Sequence, residues 1–398
     1  MQTRPLAAAQ TALDQLIRQR PLDRPQELET AAALGRVLAR DVAAPLALPP
    51  AARAAVDGFA LRAEDSVGAS AYNPATLTLQ MPDMACLPGT VLPVTAGWPL
   101  PAGADAVLPL HLAQLAGGVL EVLANLAAGD GVERPGQDVA AGAVVLEAGR
   151  RLRSMDLTLA TALGLSSLPV RPQPRVRLIS ASRHLVAAGP AALPDSVDAA
   201  GLLYPGLIAR DGGVLERHVR PAGAGQPVDL RAALTDPGAD LILVCGGASP
   251  GSLDRSAILL AGVGELDWQG VALRPGELAG AGHVDGVPVL LLPGSPAAGL
   301  TAYELLAGRA VRRLAGLDPA LPHRRVRLPL GGRKLTSEIG VVELVPVRLA
   351  GQSVLPLPLG FGLGTLVQAD GFVLVPAAAE GYAPGTPVEV HLFDAADL

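Results

Sequence analysis

Gly246, Gly247, Ser249 and Gly251 follow directly on the apolar run Ala239–Cys245, and Asp254 closes the segment VCGGASPGSLD. Glycines let the backbone come close to a ligand, and a helix starting near Ser252 would turn its free N–H groups toward an anion. The chemistry on offer is the holding of a phosphate-bearing ligand. Two more turns of this kind follow: LRPGELAGAG, with Arg274, Pro275 and Gly276, and LLLPGSP, with Pro293, Gly294, Ser295 and Pro296. One such loop alone reads equally well as a tight strand-to-helix turn without a ligand. Three converging would build one site. Two carboxylates stand in further turns, Asp57 in Asp57-Gly58-Phe59-Ala60 and Asp138 in ERPGQDVAAG. An Asp-Gly pair is also an ordinary turn signal, and Asp57 is open to that reading.

The elements that must position these residues follow from hydrophobic periodicity. Leu and Ala recur at helical spacing over Thr3–Arg18 and again over Asp23–Leu38, which predicts two short amphipathic helices in a connector. From Ala75 to Leu123, short apolar runs broken by Pro and Gly predict a small inserted β domain. A helical run, Asp156–Leu163, ends at Gly164. Then Arg175–Ser180 reads as a strand, Val197–Arg210 as a helix interrupted by Pro205, and the alternation runs on through Leu314. That pattern predicts a doubly wound α/β domain whose ligand sits outside the carboxyl ends of the strands. After Gly316 five strands and no helix are expected, enough for a small β barrel. The predicted division is residues 1–45 with 140–172 (a helical and extended connector), 46–139 (inserted β), 173–318 (α/β) and 319–398 (barrel).

A chain of 398 residues is too long for one ordinary core, and length alone suggests roughly two to four domains. The net charge of −6 without a basic block argues against nucleic acid and against a polybasic membrane segment. Met84–Ala104 and Leu349–Ala369 carry no charge, but Pro and Gly break both, so they read as strands and turns and no membrane span is expected. The N-terminus lacks a basic region followed by an apolar one. Cys86 and Cys245 have no redox or metal spacing, and a cytoplasmic setting is expected. Lys334 is the only lysine, so Arg supplies the positive charge.

With these residues in view, the chain resembles the molybdopterin molybdenumtransferase family, which includes the bacterial enzyme and the matching domain of gephyrin. The motifs VDGFALR, PLPAGADAV, RPGQDVAAGAVVLEAG, CGGASPGSLD, RPG, LLLPGSP and QADGFVLVP carry the resemblance, in order and over nearly the whole chain. It implies a homodimer with the site in a cleft between subunits, and makes residues 173–318 a molybdopterin-binding domain. The implied activity is hydrolysis of adenylylated molybdopterin with Mg²⁺, release of AMP, and transfer of molybdenum from molybdate to the dithiolene sulfurs. Mg²⁺ needs carboxylates and substrate phosphates, and molybdate needs cationic or N–H donors. The resemblance assigns catalysis to Asp57, Asp138 and Asp254, with Asp57 and Asp254 as metal ligands, and matches Asp198 to a further acidic position. It assigns the ligand cradle to Gly246, Gly247, Ser249, Gly251, Pro275, Gly276, Pro293, Gly294, Ser295 and Pro296, with Arg274 at a family lysine; Arg183, where the family is acidic, is expected beside it as a compensating cation.

Departures gather at the same places. Ala181-Ser182-Arg183-His184 stands where the family has Thr-Gly-Asp-Glu, and Pro275-Gly276-Glu277-Leu278 where it has Pro-Gly-Lys-Pro. His283 matches a family lysine, Ala96 a threonine beside Thr95, and Ser295 an asparagine. A lost catalytic carboxylate costs several powers of ten in rate. Three readings therefore stay open: an enzyme in which His184 has taken over proton transfer, a protein that binds molybdopterin for a molybdoenzyme client, and a structural partner of an active paralogue.

Overall fold

The computed structural model describes residues 3–20, 22, 24–82, 84–181, 198–221, 228–247, 256–358 and 362–393. It divides into two units, Glu27–Leu34 with Leu38–Pro169, and Met1–Gln26 with Gly35–Val37 and Val170–Leu398. Helix α1 (Leu6–Arg18) buries Ala9, Leu13, Leu16 and Ile17 along one stripe. Its Asp14 is buried in that stripe, bonded to Arg309 at 2.7 Å and Arg313 at 2.6 Å. The helix expected over Asp23–Leu38 is instead a short strand, Gln26–Glu29, and a 3₁₀ turn, Thr30–Ala32. Helical spacing was outweighed there by tertiary bonds, because the Thr30 hydroxyl donates to the Leu165 carbonyl at 2.6 Å and its N–H to Ser166 at 2.9 Å.

In the unit holding residues 38–169, six strands form one sheet: β1 (Gly58–Leu61), β2 (Ser70–Leu79), β3 (Thr90–Val94), β4 (Ala106–Pro109), β5 (Ala113–Ala116) and β6 (Val119–Ala124). Their order is β4-β1-β3-β2-β6-β5. Leu61, Val91, Leu108, Leu120 and Val122 fill its core. Helix α2 (Ser154–Ala162) is capped by Asp156, its third residue, whose carboxylate accepts the Arg153 N–H at 2.9 Å.

The other unit holds the α/β sheet, built from β7 (Arg175–Ser180), β8 (Val214–Val219), β9 (Leu241–Cys245), β10 (Glu265–Gln269), β12 (Gly280–Val284) and β13 (Val287–Leu292). The two-residue strand β11 (Leu273–Arg274) leaves it to join a neighbouring sheet. The order is β8-β7-β9-β13-β12-β10. The first four strands run parallel, and β12 and β10 are antiparallel additions, so the sheet is mixed. Every residue of β9 is buried, as a parallel sheet covered on both faces requires. Helices α3 (Ala200–Arg210), α4 (Leu230–Thr235), α5 (Ser256–Val263), α6 (Pro296–Ala302) and α7 (Gly308–Ala315) accompany it. α3 runs through Pro205 without a break, contrary to expectation. Pro205 sits on the sixth residue, where the ring costs one backbone bond, and buried Tyr204 and Ile208 hold the helix on the sheet.

The last sheet contains β11, β14 (Arg325–Pro329), β15 (Val342–Ala350), β16 (Ser353–Pro356), β17 (Gly371–Val375) and β18 (Pro387–Leu392). Its path is β11-β15-β17-β18-β14, with β16 on β15. The expected barrel is not closed by a continuous ladder. One seam is joined by a single bridge, Leu330 to Val354, and by the Gly331 N–H to the Val354 carbonyl at 2.8 Å. A short helix, α8 (Leu363–Gln368), also interrupts a stretch expected to be strands and turns only.

Candidate functional site

The strand order fixes where this sheet can hold a ligand. From β7 the chain passes to β8 on one side, then crosses back to β9 on the other. Such a reversal opens a crevice outside the carboxyl ends of the two central strands. Here those ends are Ser180 and Cys245.

The glycine turns meet at that crevice. Gly246 and Gly247 adopt φ of +83° and +72°, which side chains other than glycine rarely tolerate. The Gly246 N–H donates to the Leu292 carbonyl at 3.0 Å, and the Ser256 hydroxyl donates to the Gly246 carbonyl at 3.3 Å. A Cβ on Gly294 would stand 3.2 Å from Gly246 Cα, so the first and third turns interlock backbone to backbone. Buried Pro293 leads into exposed Gly294 and Ser295, and Pro296 opens α6. Gly276, at φ +125°, would place a Cβ 3.4 Å from the Ala298 carbonyl, so the second turn packs on α6 just beyond the third, with half-buried Pro275 beside it. Ser249, Gly251, Asp254, Arg183 and His184 lie outside the described residues.

Two of the charge departures do not face an anion. The Glu277 carboxylate accepts the Gly276 N–H at 3.0 Å, closing its own turn. His283 pairs with Pro288 in register, near the start of β13 and thus at the opposite end of the sheet from the turns. There its Nδ1 lies 3.5 Å from Asp267 and its Nε2 3.8 Å from Glu265. Exposed Arg274 is engaged by Glu338 at 2.6 Å, which pushes the guanidinium further up. Cys245 is buried between Tyr204 and the Pro293 carbonyl, each 3.8 Å from its sulfur. Burial pushes its thiol up to about 11, which keeps it in the poorly nucleophilic thiol form near neutral pH.

In the other unit, Asp57 is exposed at the mouth of β1, where its Oδ1 accepts the Ala96 N–H at 2.8 Å and Oδ2 has no hydrogen-bond partner among the described residues. Gly58 is required beside it, since a Cβ would run into the Leu108 carbonyl across the ladder. Asp138 is exposed in its turn, its N–H donating to the Leu48 carbonyl at 3.0 Å. Among the described residues no group of three or more His, Cys, Asp or Glu could hold a metal ion. A single exposed carboxylate still suits Mg²⁺, which takes most of its ligands from substrate phosphates and water.

Asp198 is the acidic residue that the sequence left least defined; it stands two residues before α3 with its side chain buried. Ser180 and His218 both reach it. Neither gave a signal in the sequence, because a histidine in the run VLERHV looks like any strand position.

Residues 4–164 match the MoeA N-terminal region (domain I and II), 223–313 a probable molybdopterin binding domain, and 331–393 the MoeA C-terminal region (domain IV). The chain is 34% identical over 393 residues to molybdopterin molybdenumtransferase 2 of Mycobacterium tuberculosis, covering 92% of this chain and 95% of that one. The chain belongs to the molybdopterin molybdenumtransferase family. Within that family it is also 30% identical to the molybdopterin molybdenumtransferase of Synechococcus elongatus, over 89% of this chain and 91% of the relative. A crystal structure of the molybdopterin biosynthesis MoeA protein from Pyrococcus horikoshii superposes with a TM-score of 0.82 at 28% identity, covering 99% of this chain and all of that one. The multidomain α/β and β architecture is therefore the MoeA architecture.

Proposed function

We propose that this family member acts in molybdenum cofactor biosynthesis as a molybdopterin molybdenumtransferase, moving molybdenum from molybdate onto adenylylated molybdopterin with release of AMP. The observation that carries the reading is whole-length identity of 34% to a molybdenumtransferase, together with glycine turns interlocked at the switch point of the sheet. In this reading the backbone around Gly246 and Gly247 holds the pterin phosphate at close range, and Pro293 to Pro296 and Pro275–Gly276 wall the cradle. Ser249, Gly251, Arg183 and Arg274 belong to the same cradle, Asp138 and Asp254 to the catalytic acids, and His184 to proton transfer. Asp57, through Oδ2, and Asp254 would hold Mg²⁺. When bound, that ion polarises the phosphoryl oxygen under attack. The homodimer, the cytoplasmic setting and the four-domain division given above are parts of the same proposal.

The reading of a degraded, non-catalytic paralogue is not favoured. Glu277 satisfies its own turn and His283 lies at the far end of the sheet, so neither counts as damage to an anion site. The test is reconstitution: purified protein, adenylylated molybdopterin, Mg²⁺ and molybdate, with AMP and the molybdenum cofactor measured as products. Stoichiometric AMP and cofactor are expected; neither forming over hours at saturating substrate would overturn the reading.

A further inference from the structure

Ser180, the last residue of β7, is fully buried, and its hydroxyl donates to Asp198 Oδ1 at 3.1 Å. The Gly201 N–H joins the same oxygen at 3.4 Å. From the edge strand β8, His218 brings Nε2 to 3.0 Å from Ser180 Oγ and 3.1 Å from Asp198 Oδ2. With the serine proton spent on Asp198, both neighbours of Nε2 are acceptors, so the network assigns a proton to Nε2. The Asp198 side chain is only 3% exposed and that of His218 17%. The pocket for the ring is built by α3. A Cβ on Gly201 would stand 2.7 Å from His218 Cε1 and 3.0 Å from Nδ1, so glycine alone leaves the ring its place. Burial works against the Asp198 charge, but bonds from His218 and Ser180 outweigh it and hold the carboxyl below its ordinary range.

Asp198 Oδ1 is thus bonded inside the fold by Ser180 and Gly201, while Oδ2, with no hydrogen-bond partner among the described residues, stands in ion-pair range of His218 beside the crevice that ends at Ser180. A carboxylate in that state contributes through a fixed position and a fixed charge. We propose that His218 is a positioning residue of this site: its Nε2–H holds the Ser180 hydroxyl, which is itself bonded to Asp198 Oδ1, and its ring stands against Asp198 Oδ2, and so sets the start of α3 against the carboxyl end of β7. This rests on the molybdenum-insertion reading and deepens it. Removing the Nε2 donor leaves the Ser180 hydroxyl and Asp198 facing an apolar side chain with nothing to hold them, and a displacement near reacting groups costs about 10- to 100-fold in rate.

The test compares full-length wild type, H218Q, whose amide N–H reaches toward the same two oxygens, and H218L, which keeps bulk without a donor. Adenylylated molybdopterin, molybdate and Mg²⁺ are the probes, with AMP release as readout. For H218L, kcat is expected to fall about 10- to 100-fold while KM for the pterin stays within about twofold, and H218Q is expected to recover most of the loss. H218L with wild-type kcat overturns the proposal, as does an H218Q no better than a folded H218L. Histidine NMR gives a readout independent of turnover. A slowly exchanging imidazole N–H is expected in the wild type and absent from H218Q, which serves also where H218L fails to fold; a wild type without that signal overturns the lock at any level of activity. A wild type that neither binds the adenylylated pterin nor releases AMP sinks the function reading instead, and the NMR result then judges the lock alone.

Discussion

At the scale of residues, the cradle depends on backbone that only glycine adopts without strain. Gly247 combines φ +72° with the Ser256 side chain directly over its missing Cβ and Ala181 Cβ 3.5 Å away. Gly247→Val would pay the left-handed penalty of about 1–2 kcal/mol and push Ser256 off the Gly246 carbonyl. The expected outcome is loss of calorimetric molybdopterin binding with the far-ultraviolet dichroism unchanged; wild-type affinity in this variant would remove the turn from the site. Cys245 gives a second expectation at this scale. Its thiol is buried and pushed up to about 11, and Cys86 is also buried. Titration with a thiol reagent at pH 7.5 should therefore give no fast-reacting cysteine until denaturant is added. Glu277 and His283 mark the limit of reading residues without neighbours: a charge inversion in a sequence says nothing of where the carboxylate turns, and Glu277 turns back onto Gly276.

At the scale of elements, the strand β7 is pinned by a buried arginine. Arg177, with no exposed surface, bonds Glu216 at 2.9 Å, the Ala233 carbonyl at 3.1 Å, the Asp236 carbonyl at 2.6 Å and the Pro237 carbonyl at 3.1 Å. It thereby satisfies a last-turn carbonyl of α4 and those of the two residues that follow the helix, which the helix's own backbone cannot do. Arg177→Met keeps the apolar stem but orphans those carbonyls and leaves Glu216 with only the more distant Arg175, 4.0 Å away. A loss of about 3–5 kcal/mol in unfolding free energy is expected from urea titration; a change within 1 kcal/mol would show that water takes over. Nothing in RVRLIS announced this, because an alternating Arg reads as solvent-facing. The sequence did make the α/β alternation legible, since its β-branched runs are buried on both faces and bounded by glycine. It misled over Asp23–Leu38, where Thr30 takes partners 135 residues away, and around Pro205, where packing of Tyr204 and Ile208 holds a helix together. The three turns were legible as turns; their interlocking, through Gly246 and Leu292, was not, because it depends on strand order. His218 was invisible for the same reason, since it becomes meaningful only once β8 lies beside β7.

At the scale of the whole molecule, the proposed dimer carries a plain expectation: sedimentation at micromolar concentration should give a dimer, and a monomer would remove the inter-subunit cleft from the mechanism. The pH dependence of stability is set by buried groups of opposite kinds. Asp14 and Glu304 are held low because, although burial raises them, bonds to Arg309 and Arg313 and to His323 and Arg210 more than offset it. Asp156 is held low by Arg150 first, against burial. A carboxylate lowered in the folded state binds its proton more readily when unfolded, so its contribution is present above the ordinary range near 4 and is lost as pH falls through the folded value. His391 behaves alike in sign but at higher pH. Burial lowers it against the raising pull of Glu389, while its ring stacks on Phe372 with centroids 5.0 Å apart. The unfolded chain then takes up a proton near pH 6.5 that the fold refuses, and stability falls from that point toward the folded value. Stability of the wild type should therefore fall in two stages on acidification, one starting near 6.5 and one below 4. His391→Phe retains an aromatic ring against Phe372 and abolishes the proton uptake, so the first stage should disappear while the second persists. Urea unfolding from pH 8 to 4 reads this directly. A first stage of undiminished size in His391→Phe would assign the loss to another group and leave the buried histidine without a part in acid sensitivity.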